Sequence, residues 1–122
     1  MIKKALSDPP SCSSSVMALQ DALELLGGKW KLLILHYLIV RDNENNTFKK
    51  IEKDINGISA KVLTQELKTL EANQLVSREV LETKPITVKY AITTYGKSIQ
   101  PIITTLVDWG QNHRQTLFVD TK

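Results

Sequence analysis

A chain of 122 residues, 42% hydrophobic and 24% charged, is the size of one ordinary globular domain, with enough apolar material for a core that needs no covalent staples. Its single cysteine, Cys12, excludes an intramolecular disulfide and any cysteine-built zinc cage. The net charge of +3 is too small to identify a partner by itself, but it is unevenly spread: residues 48–94 hold eight Lys and Arg against six acids, whereas residues 1–47 balance.

Met1-Ile2-Lys3-Lys4 is basic, yet Asp8-Pro9-Pro10 arrives before an apolar segment of signal-peptide length could form. The longest apolar run, Leu32–Leu35, is far too short to span a membrane, so a cytoplasmic protein without a membrane partner is expected. Residues 1–15 read as a flexible arm, because Ser7 to Ser15 holds several breakers and almost nothing to bury. The domain proper is expected over residues 16–122. A helix is predicted from Val16, with Val16, Leu19, Leu23 and Leu26 on one stripe, Ser15 as N-cap and Gly27-Gly28 as the stop. That stripe suits either an ordinary core helix or one that pairs with a second copy of the chain. Lys29–Val40 forms a second predicted helix, apolar on nearly all sides and therefore central. His36 within it is a lone histidine without a partner at metal-ligand spacing, so no metal site is expected. Arg41–Thr47 is a polar loop expected to end in a short edge pairing.

The stretch from Phe48 to Ile92 carries the functional signal. A short basic helix, Phe48–Ile55 with Lys49 and Lys50, is followed by the turn Asn56-Gly57-Ile58 and the cap Ser59. A longer helix, Ala60–Asn73, places Val62, Leu63, Leu67 and Leu70 inward and Lys61, Thr64, Gln65 and Lys68 on the opposite side. Strand-like runs at Leu75–Leu81 and Thr87–Ile92 follow, with Val76, Val80, Val88, Tyr90 and Ile92 in the alternation of a half-buried hairpin. Helix, turn, helix and hairpin in this order make a winged helix-turn-helix, in which the second helix enters the DNA major groove. Gln can pair with adenine, Lys can donate to guanine or phosphate, and a Ser-capped helix start offers N–H groups to a phosphate. Lys84, Lys89 and Arg78 on the hairpin are the phosphate-contact candidates. A merely solvated helix face and hairpin tip is the plain alternative.

From Tyr95 a last long helix is predicted to reach Phe118, with Ile99, Ile102, Ile103, Leu106, Trp109, His113 and Leu117 on its stripe and Pro101 as a kink or a first-turn residue. So much apolar surface after a complete winged core calls for another partner, and a second copy is the natural one. The candidate dimer residues are Val16, Leu19 and Leu23 near the start, and Ile102, Leu106, Trp109 and His113 near the end.

The blocks Ala22-Leu23-Glu24-Leu25-Leu26-Gly27-Gly28-Lys29-Trp30, Phe48 through Gly57-Ile58-Ser59, Val62 through Glu71, and Lys89 through Lys97 resemble the HxlR family of bacterial transcriptional regulators, MarR-like winged helices. The resemblance runs from about Leu19 to Trp109-Gly110. It implies a mainly α (α+β) fold with N- and C-terminal dimerisation helices, and a homodimer that binds double-stranded DNA at an inverted repeat. Members often carry a cysteine one helical turn closer to the Gly-Gly pair, in some a sensor of quinones, aldehydes or oxidants. Here that register holds Val16–Met17, and Cys12 stands fifteen residues before Gly27. Cys12 is the one candidate redox sensor for a small-molecule or oxidant effector, and this departure from the register counts against it. An exposed thiol without a fixed cation keeps an ordinary pKa and reacts slowly, which favours an incidental cysteine.

An enzyme would need a nucleophile–base pair, paired carboxylates, a metal cluster or a Gly-rich phosphate loop, and Gly27-Gly28 has the spacing of none. Neither catalysis nor a cofactor is expected. The remaining alternative is a winged helix used only for protein–protein contacts, distinguished from a DNA binder by a weak response to salt.

Overall fold

The computed structural model describes the backbone of residues 10–119 and the side chains of residues 13–118. Five helices and one hairpin follow in chain order: α1 (Pro10–Leu26), α2 (Lys31–Val40), α3 (Phe48–Asp54), α4 (Ala60–Ala72), β1 (Val76–Leu81), β2 (Thr87–Ile92) and α5 (Gln100–Val119). The fold is a winged helix flanked by two longer terminal helices.

The first helix begins earlier than the sequence suggests. Residues 10–15, expected to belong to a flexible arm, are helical, and Ser15 lies inside α1 rather than at its cap. Proline is at home in a first helical turn, where its missing N–H would have no partner anyway, so Pro10 starts this helix instead of preventing it. The rest of the expected arm, residues 1–9, lies outside the described residues. At the other end α1 stops at Leu26, before Gly27-Gly28, as the glycines predict.

The second helix is the centre of the molecule, but only on one side. Ile34, Leu35, Tyr37 and Leu38 are buried, and Trp30 occupies the N-cap position that the sequence had placed inside the helix. Leu33, His36 and Val40 face outward, so the expected central helix carries an exposed side despite its apolar sequence. Ile51 of α3, the Leu63, Leu67 and Leu70 stripe of α4, Leu75 and Val76 at the start of the hairpin, and Tyr90 and Ile92 of β2 close the core around α2. At roughly 1.5–3 kcal/mol for each fully buried large aliphatic side chain, this cluster supplies the main drive for folding.

Local chemistry sets the joints. Thr47 caps α3 by accepting from Lys50 N, and Ser59 caps α4 by accepting from Val62 N at 3.1 Å. Gly57, with φ +88°, supplies the left-handed residue that lets α3 turn into α4. Gln74 takes a positive φ at the end of α4, and Leu75 N donates back to Leu70 O. The strands pair antiparallel, Val76 opposite Ile92 and Val80 opposite Val88. The Arg41–Thr47 loop ends in the expected edge pairing: Thr47 bridges Lys89, and Tyr90 N donates to Asn46 O at 2.8 Å.

Two further expectations need correcting. Val80 is 48% exposed despite its place in the alternation, because β2 is the strand that packs along α2 and α3, and Val88 opposite it is the residue that meets the core. The last helix does not begin at Tyr95. A 3₁₀ turn, Gly96–Ile99, comes first, held by Thr93 Oγ1 accepting from Gly96 N, and α5 starts only at Gln100 with Pro101 in its first turn. The predicted single stripe of α5 also divides: Ile99 and Ile103 enter the core, whereas Ile102, Leu106, Trp109 and Leu117 stay outside it.

Candidate nucleic-acid interface

The two helices of the motif meet at the Asn56–Ile58 turn. The α4 helix presents its outer face because Leu63, Leu67 and Leu70 are drawn against α2. Lys61, Thr64, Gln65 and Lys68 are all exposed on that outer face. The Ser59 cap occupies the N–H of Val62 and leaves the N–H groups of Ala60 and Lys61 without a helical partner, directed at whatever approaches the helix start. The Thr64 hydroxyl donates to Ala60 O at 2.8 Å, so it can offer an incoming group its lone pairs but not its hydrogen.

Lys49 and Lys50, proposed together from the sequence, behave differently. Lys49 is exposed and lines a groove of about 360 Å³ between the start of α3, α4 and the hairpin, with Thr64, Pro85, Ile86 and Thr87 among its walls. Lys50 is half-buried and paired with Glu44 at 3.0 Å, so part of its charge is already offset. On the hairpin, Arg78 stands opposite Tyr90 and Lys89 opposite Glu79. Successive residues of a strand point to opposite faces, so Arg78 and Lys89 occupy different sides of the wing and do not form one patch. Lys84 lies in the exposed tip.

Sequence reasoning missed three contributors. Ile86 is 70% exposed at the wing tip, beside Pro85; the signal was an isoleucine in a turn with no apolar partner near it. Asn46 is almost fully buried, donates from Nδ2 to Arg41 O at 2.9 Å, and fixes the root of the wing through its carbonyl. A polar loop residue gives no advance notice of such burial. Tyr37 donates to Asp54 Oδ2 at 2.6 Å and ties α2 to the end of α3. Burial, and then the Asp54 carboxylate, push the Tyr37 hydroxyl up to about 12, so it remains a neutral donor across the physiological range.

The residues offered as dimer candidates can be placed as well. Val16, Leu19 and Leu23 on α1 and Ile102, Leu106, Trp109 and His113 on α5 are all exposed in the single chain, Trp109 by 65% with its ring stacked on His113 at 4.8 Å. Cys12 falls within the α1 backbone, but its side chain lies outside the described residues. Among the described residues no group of His, Cys, Asp and Glu could hold a metal ion, and no helix is long and apolar enough to cross a membrane.

Known proteins resemble this arrangement over most of its length. The model of the HxlR-like helix-turn-helix family matches residues 25–117. The HTH-type transcriptional regulator YtcD of Bacillus subtilis is 34% identical over 105 residues, covering 86% of this chain and 81% of that protein. A crystal structure of YtcD superposes with a TM-score of 0.72 over 80% of this chain and 96% of that one. The redox regulator HypR, in its oxidised form, gives a TM-score of 0.69 at 29% identity over 78% of this chain and 95% of that one. The transcriptional regulator YodB of B. subtilis, in its reduced form, gives 0.64 at 36% identity over 75% and 87%, and has also been solved after diamide treatment. The chain belongs to the HxlR-like helix-turn-helix family of transcriptional regulators.

Proposed function

We propose that this regulator binds an inverted-repeat operator as a homodimer, with α4 in the major groove and the wing on the neighbouring backbone. The observation that carries the reading is the division of α4 into two faces: its leucines are buried, while Lys61, Thr64, Gln65 and Lys68 are exposed beside an exposed helix start. Gln65 is the base-reading candidate and Lys61 and Lys68 contact guanine or phosphate. Lys49 and Lys84 approach the backbone from either side of the groove between α3 and the wing, with Arg78 and Lys89 on separate faces of the hairpin. The exposed stripes of α1 and α5 supply the dimer contact, which sets the spacing of two recognition helices to two half-sites.

Selection of duplexes from a random-sequence pool, followed by titration of the selected duplex at rising salt, tests the proposal. Counterion release makes log K fall with log salt at a slope of about −0.9 per neutralised phosphate. The expected result is an enriched inverted repeat bound with a steep slope. An unselective pool, or binding indifferent to salt, would contradict it.

The likeness to HypR and YodB supports an oxidant as the effector class; action of that oxidant on Cys12, the single thiol of the chain, is the alternative to an incidental cysteine. Binding of the selected duplex by wild type and Cys12→Ser, each with and without diamide, decides this. Loss in treated wild type alone supports it, and loss in neither or in both contradicts it.

A further inference from the structure

A recognition helix discriminates bases only when it is held at one roll angle, and α4 carries a tether that its leucine stripe does not account for. Glu66 stands on the flank of α4, between the buried Leu63 and Leu67 and the outward Gln65. Its Oε1 lies 2.7 Å from Nζ of Lys31, and the two side chains keep only 17% (Lys31) and 21% (Glu66) of their surface in water. The approach is outside hydrogen-bond geometry, so the attraction is chiefly coulombic. Partial withdrawal from water makes such a pair weigh more than a freely solvated one, and makes removal of one partner costly.

The position of Lys31 gives the contact its meaning. Lys31 opens α2 directly after the Gly-Gly-Lys-Trp segment at which α1 ends. The Trp30 ring next to it reaches the α3–α4 turn, 3.9 Å from where a side chain on Gly57 would begin. The link between the first helix and the rest of the chain therefore touches the recognition unit twice, at its turn and on the flank of α4. The leucine row sets the roll of α4 from one side, and a charge pair on the flank adds a second constraint on that roll.

We propose that the Lys31–Glu66 pair is a positioning contact that fixes the roll of α4 against the α1–α2 junction, and so governs discrimination between DNA sequences. This rests on the reading of α4 as the DNA-contacting helix.

The sign of the effect separates positioning from ordinary charge. Glu66 is an acid on a helix that faces phosphates, so its removal by electrostatics alone should strengthen binding to any duplex. Positioning demands the reverse for the selected duplex. The test compares full-length wild type, Glu66→Gln, and the double exchange Lys31→Glu with Glu66→Lys. Each is titrated with the duplex selected by wild type and with a scrambled duplex of the same composition, and thermal unfolding confirms the fold. In Glu66→Gln the ratio of selected to scrambled affinity should fall roughly tenfold, and the double exchange should bring it back to within about threefold of wild type, as coupled pairs do in double-mutant cycles. A folded Glu66→Gln protein with the wild-type ratio overturns the proposal, whatever its melting temperature, and so does a double exchange that restores nothing. If wild type itself does not discriminate between the duplexes, the DNA reading has failed and this inference falls with it. If wild type discriminates and the ratio does not move, only the tether is refuted.

Discussion

The α4 helix and the two terminal helices have the same kind of sequence and opposite fates. All three carry leucine- or isoleucine-rich stripes at helical spacing. In α4 the stripe is consumed within the chain: Leu63, Leu67 and Leu70 are buried against α2 and the hairpin, and the polar face left over is free for another molecule. In α1, apart from the buried Leu26 at its end, and in the outer half of α5 the stripe remains uncovered, with Leu19 60%, Leu23 61% and Trp109 65% exposed. An apolar face satisfied at home points to a polar function on the other side. An apolar face left open points to a partner that covers it.

The comparison can be broken most sharply at its buried member. Leu67→Ala removes a side chain at the centre of the core and should cost about 2–5 kcal/mol in chemical denaturation. A loss below 1 kcal/mol would mean that α4 is not anchored as described. Leu19→Asp or Trp109→Ala probes the open faces. Each should leave the winged core folded but yield monomers in sedimentation, and operator affinity should fall by about a hundredfold or more as the second half-site is lost. Dimers that survive both changes would place the partner elsewhere.

Smaller effects sharpen the account of the polar face. Gln65→Ala should relax preference at one position of each half-site by about 1–3 kcal/mol, whereas Lys61→Ala should weaken all sequences more evenly. Unchanged operator binding in both variants, with the fold intact, would remove α4 from the groove. The smallest effect concerns the wing: replacing Lys84 and Lys89 by Ala should lower the salt slope by about one to two without altering base preference. Because Lys89 lies on β2 rather than at the tip, Lys84 should account for more of that change.

What could be read in advance follows from which forces are local. The Ser59 cap, the leucine spacing of α4 and the glycine turn depend on residues close in sequence, and each stands where the sequence placed it; the edge pairing at Thr47 also forms as expected, although its partner Lys89 is distant in sequence. The errors arose where a distant element decides. Nothing near Val80 says that it stays exposed while Val88 opposite it packs on the core, and nothing near Ile99 and Ile103 says that these two of the stripe's seven residues turn inward. The start of α1 was missed for a different reason: Pro10 was read as a breaker, although a helix tolerates proline in its first turn. Of the site, the residues on α4 were legible from periodicity, while the Glu44 partner of Lys50 and the separation of Arg78 from Lys89 required three dimensions.

The central claim is that two copies of this chain, joined through their terminal helices, set two α4 helices into one inverted repeat. Hydroxyl-radical footprinting of the selected duplex, with the bound stoichiometry measured on the same sample, tests it most directly. The account predicts two protomers per duplex and two symmetry-related protected segments, centred about 34–36 Å apart or a multiple of that distance. One protomer on a single protected segment, or protection that ignores sequence, would contradict it.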